Sequence, residues 1–152
     1  MQLSIMDPAS VGIGVVSGAA ALAAMAVQTT TYLVGLKDTL QRADLIFLDL
    51  LTSCQAFEAA WSHIHEWAKT QSSRSKGSTA VLEKLTAYLE SSKMVLDTLQ
   101  ADLERFRSKS KSSWRSMSRK VVLLHEKVLR DHCDRMHRQT SSLHLLLSTA
   151  RL

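Results

Sequence analysis

Apolar positions recur along most of this chain at alternating spacings of three and four, the rhythm of helices packed at a shallow angle. Over 37–70 the stripe is Leu40, Ala43, Phe47, Leu50, Cys54, Phe57, Trp61, Ile64 and Ala68, widened by Leu36, Leu48 and Leu51. Over 79–107 it is Leu82, Leu85, Leu89, Ser92, Leu96, Leu99, Leu103 and Phe106. A fourth helix, over 113–149, shows Val122, His125, Leu129, His132, Met136, Gln139, Leu143 and Leu146, with Val121, Leu124, Val128, Cys133 and Leu147 beside them. Its seam is the least apolar, since His125, His132 and Gln139 occupy seam positions. The polar run at 71–78 predicts a loop, with Ser78 or Thr79 as cap and Glu83 to complete a capping box. The Ser/Lys run at 108–112 predicts a second loop.

The first segment follows a different rule. From Pro8 to Leu36 there is no charged residue, and Val11 to Val27 is nearly all Gly, Ala and Val. Asp7 as N-cap and Pro8 at the first helical position start a helix over 8–30. Thr29, Thr30 and Thr31 then weaken it, and Gly35 offers a second break. With no polar face beyond Ser10 and Ser17, amphipathicity does not orient this helix. Such a segment is hidden in a helical core, cut off as a signal, or given to a membrane. A signal peptide wants a basic leader before its apolar core, and Met1 to Asp7 holds none. As a helix, Val11 to Val27 spans about 25 Å against a hydrocarbon core of about 30 Å. Its six Val, Ile and Leu residues sum to roughly −2 to −4 kcal/mol on an insertion scale. That sum favours conditional over constitutive insertion.

These elements predict an all-α fold: a four-helix bundle, one domain over 1–152, with an apolar N-terminal helix packed centrally and a long C-terminal helix, part of which projects or bends. A single proline and five glycines, four of them before residue 36, agree with helices throughout.

Charge is uneven. Residues 1–70 hold three Lys/Arg against six Asp/Glu, whereas 71–152 hold sixteen against eight. Between Glu104 and Glu126 lie Arg105, Arg107, Lys109, Lys111, Arg115, Arg119 and Lys120, with no acid among them. Such a run suits anionic lipid headgroups or another phosphate surface, or is simply a solvated face. With no aromatic residue between the cations beyond Phe106 and Trp114, nucleic acid is the less favoured partner. Cys54 and Cys133, each beside apolar residues of a helical stripe, read as buried free thiols, which fits a reducing, cytoplasmic compartment.

Candidate catalytic chemistry is sparse. Cys133 and His137 share a helical face, but no second ligand pair joins them, so no metal site is expected. Asp131, His132 and Cys133 are triad residue types, yet helix neighbours point about 100° apart and form no relay. Gly12-Ile13-Gly14 follows no strand, and Trp61, Trp67 and Trp114 read as core or interface anchors. No enzyme activity and no cofactor are expected. Gly14 and Gly18, four apart, allow close helix approach in lipid or in a tight bundle.

Met6-Asp7-Pro8-Ala9-Ser10-Val11 and the Gly/Ala-rich helix after it resemble the opening of fungal N-terminal domains of NLR-like (STAND) receptors. These are the HeLo-like group, which includes the domain named after azaphilone pigment cluster proteins. Lys109-Ser110-Lys111-Ser112-Ser113-Trp114 looks like that group's basic junction, and 137–147 looks like its closing helix. The resemblance implies a helical bundle fronting a C-terminal nucleotide-binding oligomerisation module. It further implies an N-terminal helix that enters the plasma membrane on activation and causes regulated cell death. This chain departs in having no acid inside the first helix, Asp7 standing only at its cap.

The expected function is therefore a signalling or effector domain with an inducible membrane helix. The helix residues singled out are Val11, Gly14, Val15, Gly18 and Leu22; the lipid contacts are the seven cations above. The rival reading is a self-associating helical adaptor that never meets lipid.

Overall fold

A computed structural model describes residues 8–40, 45–71, 79–113 and 119–149, with side chains placed over 11–36, 45–70, 80–106 and 125–149. The fold is all helical, with no strand among the described residues. Its elements are α1 (Pro8–Leu40), α2 (Leu45–Gln71), α3 (Thr79–Ser113) and α4 (Arg119–Thr149).

Four boundaries differ from expectation, the start of α2 at Leu45 rather than near Lys37 among them. α1 does not end near Thr30. It continues to Leu40, because Leu33 and Leu36 are buried in the core. The threonines are accommodated rather than disruptive: Thr29 and Thr31 donate to the carbonyls of Met25 and Val27, four residues back, at 2.8 and 3.0 Å. Leu40 therefore closes α1 instead of opening the second helix. α3 likewise runs through the expected loop at 108–112 to Ser113, and α4 starts at Arg119 rather than near 113. At 31 residues α4 is long, as expected, and α1, with 33, and α3, with 35, are longer still.

α1 packs against α2 and α3, and α4 packs against the same two from the opposite corner. The apolar helix is thus a corner of the bundle, not its centre. Gly18 faces Leu89, Thr29 faces Gln100 and Tyr32 faces Glu104, a constant register that makes α1 and α3 parallel. Ser92 with Gln139 and Asp102 with His132 make α3 and α4 antiparallel. The stripes of α2 and α3 account for most of the interior. Phe57, Trp61, Leu50, Ile64, Leu85, Leu96, Leu99 and Leu103 are essentially inaccessible. Leu48 is the exception, at 38% exposed, so it does not widen the α2 stripe.

α1 completes this interior. Val11, Val15, Ala19, Leu22, Ala26, Thr29, Leu33 and Leu36 are buried, again at spacings of three and four. α2 and α3 sit on a diagonal, so withdrawing α1 would leave that side of the core open to water.

Candidate functional site

What faces outward from α1 is the unusual surface of this molecule. Gly14, Ser17, Ala21, Ala24, Gln28, Thr31 and Gly35 are exposed, at spacings of three and four, and none carries a charge. Ile13 (66% exposed), Val27 (47%) and Val34 (42%) flank them. An ordinary bundle helix turns charged side chains to water on this face; α1 turns out uncharged ones, most of them small or apolar. The segment Val11–Leu36, 26 residues, is long and apolar enough to cross a membrane, by length and composition alone. At 1.5 Å per residue it spans about 39 Å, more than the hydrocarbon core requires. Core helices and signal sequences meet the same criterion, although a core helix would be mostly buried and here only 33% of the window is.

The five helix residues singled out from the sequence divide between the two faces. Val11, Val15 and Leu22 are core residues, 5%, 0% and 3% exposed, and meet lipid only if α1 leaves the bundle. Gly14 faces open space, with nothing within 4 Å of a Cβ built on it. Gly18 does not share that surface: its Cβ would stand 2.8 Å from Leu89 Cδ1, so this glycine serves the α1–α3 approach. The two glycines are therefore not one docking motif.

Polar contacts tie α1 down. His65 Nδ1, on α2, donates to the Val16 carbonyl at 2.9 Å; a carbonyl only accepts, so Nδ1 carries the proton. Gln100 Nε2 donates to Thr29 Oγ1 at 3.0 Å, and the Tyr32 hydroxyl donates to Glu104 at 3.3 Å. Those four residues, with Gln28 and Leu103, line a half-open groove of about 270 Å³ between α1 and α3.

Of the seven cations, Arg105 is the one whose side chain is placed, 3.4 Å from Asp102. Arg107, Lys109 and Lys111 stand on the last turns of α3, and Arg119 and Lys120 on the first turn of α4, with side chains outside the described residues. Arg115 lies wholly outside them. Ring contacts place this end of the bundle: Phe47 meets Phe106 at 6.0 Å between centroids, and Phe106 meets His125 at 5.0 Å. Leu45, first in α2 and 79% exposed, is therefore at the same end as the basic run.

The polar seam residues of α4 face partners on α3 that the sequence did not identify. His132 Nε2 lies 2.6 Å from Asp102 Oδ2, with the imidazole 3% exposed. Gln139 donates to Ser91 at 2.6 Å and accepts from Ser92 at 3.2 Å. A seven-residue spacing of polar seam positions was the available signal, but it names no partner. Cys54 and Cys133 are buried and free. Burial pushes the Cys54 thiol up to about 12, with a smaller upward push from Cys133. It pushes Cys133 up to about 11 against a hydrogen bond from Ser53 that pulls the other way. Cys54 Sγ touches Met136 Sδ at 3.9 Å, and His137 pairs with Ser53 at 3.1 Å. No three His, Cys, Asp or Glu side chains gather as a metal site among the described residues.

No protein-family model, curated protein or solved structure matches this chain.

Proposed function

We propose that this chain is a signalling or effector module that stores a membrane-active helix and releases it on self-association. α1 rests with Val11, Val15, Leu22 and Leu33 in the core and an uncharged face outward. The basic run from Arg105 to Lys120 draws the bundle to anionic lipid, each cation near the surface adding about 1 kcal/mol. In the setting implied by the HeLo-like resemblance, the chain would front a fungal NLR-like receptor. The C-terminal nucleotide-binding module would drive oligomerisation, and the protein would move from cytoplasm to plasma membrane to trigger cell death.

The observation that carries this reading is the uncharged outward face of α1 from Ile13 to Gly35. A soluble corner helix has no use for it, while a helix bound for lipid must not carry charge there. Ala21→Lys and Ala24→Lys test the idea on exposed positions that leave the core alone. A lysine near the centre of a spanning helix costs about 2.5–3.5 kcal/mol, comparable to the insertion energy of Val11 to Val27. The full chain should release dye from phosphatidylserine vesicles, and both variants should fail to, with unchanged far-UV circular dichroism. Equal release by all three proteins would end the proposal.

A second reading has its own support. A Cβ built on Gly14 would meet nothing within 4 Å, so packing inside one molecule does not require a glycine there. Glycine at an exposed helix position costs about 1 kcal/mol relative to alanine. Close approach by a second copy's helix would supply a reason, and the protein would then be an adaptor. Oligomers lost in Ala24→Lys, with no vesicle leakage from the parent chain, would favour that reading.

A further inference from the structure

α3 does not stop where its described core contacts stop. Phe106, 2% exposed, is its last described core side chain, yet the helix continues to Ser113. From Arg105 the chain reads Arg-Phe-Arg-Ser-Lys-Ser-Lys-Ser-Ser. Ser108, Ser110 and Ser112 each have a Lys or Arg immediately before them and another three residues before. The pattern occurs three times, overlapping, on the final turns of one helix.

Helix stability does not explain it. Serine is a poor choice for a helix interior. Arg105 with Lys109, and Arg107 with Lys111, are like-charge pairs four apart, which repel. Cations are favourable at a helix C-terminus, but that accounts for Lys111 and not for the serines between. Alternation of a hydroxyl with a cation is what an enzyme with an acidic substrate groove recognises, the cations docking and the hydroxyl reacting.

We infer that Ser108, Ser110 and Ser112 are a phosphorylation site for a basic-directed serine kinase, and that phosphorylation switches off the basic end of the bundle. The modification stands on its own; its effect on lipid rests on the membrane reading above. In each transfer the serine Oγ attacks the γ-phosphorus of ATP. A new O–P bond forms, the bond to the β–γ bridging oxygen breaks, ADP leaves, and the hydroxyl proton passes to the kinase's base.

Each phosphate adds about −1.5 to −2 charges, so three of them offset most of the seven cations between Glu104 and Glu126. They would also sit at the negative end of the helix dipole, one turn beyond Glu104, where added negative charge opposes the helix. The turns beyond Phe106 should therefore loosen as the charge reverses. This happens at the end of the bundle that also presents Leu45, so one modification removes the electrostatic attraction beside an exposed apolar side chain.

The test uses the full chain, an arginine-directed serine kinase catalytic domain and Mg-ATP. Mass spectrometry should map phosphate to Ser108, Ser110 and Ser112, and the triple variant Ser108→Ala, Ser110→Ala, Ser112→Ala should lose it. Phosphorylated protein should sediment with phosphatidylserine vesicles at least about 1,000-fold more weakly than unmodified protein, and should lose helical circular dichroism equivalent to the turns beyond Phe106. Phosphate that maps elsewhere, or vesicle binding that is unchanged by phosphate on these serines, overturns the inference. If the unmodified chain does not bind those vesicles, the membrane reading fails instead, and site mapping with the helicity change decides the modification alone.

Discussion

His132 of α4 and Asp102 of α3 meet at 2.6 Å across a buried interface, and His132 Nδ1 has no hydrogen-bond partner among the described residues. The imidazole thus depends on one carboxylate. Asp102→Ala would leave both ring nitrogens unsatisfied in the core, at a cost of about 1–3 kcal/mol. Replacing both partners by leucine removes the polar demand altogether, and much of that loss should return. Urea unfolding of the single and double variants measures both. A double variant as unstable as the single one would show that shape, not hydrogen bonding, governs this contact.

The two early glycines should respond in opposite ways. Gly14 faces open space, so Gly14→Ala should stabilise α1 by about 0.5–1 kcal/mol through helix propensity alone. At Gly18 the new methyl group would meet Leu89 Cδ1 at 2.8 Å and Cδ2 at 3.0 Å. Leu89 is the flexible partner and can rotate, so Gly18→Ala should come out near neutral. Gly18→Val is too large for that adjustment and should cost about 1–3 kcal/mol. Thermal midpoints of the three variants check the order; a Gly14→Ala chain less stable than the parent would contradict the open surface.

The same contrast explains what the sequence could and could not tell. The stripes of α2 and α3 were legible because large apolar side chains alternate with charged ones, and the structure buries Phe57, Trp61, Leu85 and Leu99 as the spacing requires. α1 was legible as a helix but not as an oriented one, since both faces are apolar. Side-chain size does not orient it either: Val15, Leu22 and Leu33 point in together with Ala19 and Ala26, while Gly14, Ala21 and Ala24 point out together with Ile13, Val27 and Val34. Its length was misjudged at Thr29 to Thr31 because local propensity yields to the burial of Leu33 and Leu36. The helical end of α3 was missed for the opposite reason, as Ser and Lys carry little pattern. Asp102 was invisible as a partner for His132, because the pairing is a product of helix register and not of local sequence.

Alkaline pH should destabilise the fold through its thiols. The ordinary thiol value is 9.0, while burial holds Cys54 at about 12 and Cys133 at about 11. Above pH 9 the unfolded chain has lost protons that the folded chain keeps, so the unfolding free energy falls with rising pH. The contribution is complete below pH 9 and disappears progressively as pH climbs through the folded values. Urea unfolding at about pH 8.5 and about pH 10.5 should show this loss, and a Cys54→Ala, Cys133→Ala variant should show a shallower one. For the same reason neither thiol should react with iodoacetamide in the native state near pH 8, while both should react in denaturant.

The two faces of α1 should separate stability from activity, which a helix with a single role would not permit. Leu22 is 3% exposed and Val15 is fully buried, so Leu22→Ala should cost about 2–5 kcal/mol as its cavity fails to close. Ala21 is exposed, and Ala21→Lys should change stability by less than about 0.5 kcal/mol. A stored helix predicts the reverse order for vesicle release. Leu22→Ala weakens docking more than it reduces the helix's lipophilicity, one leucine being worth only about 0.3–0.6 kcal/mol in a bilayer. It should therefore leak vesicles at lower protein concentration than the parent, while Ala21→Lys remains folded and inert. If Leu22→Ala were unstable yet no more active, loosening the bundle would not be the step that frees α1, and the trigger would have to act on the outward face directly.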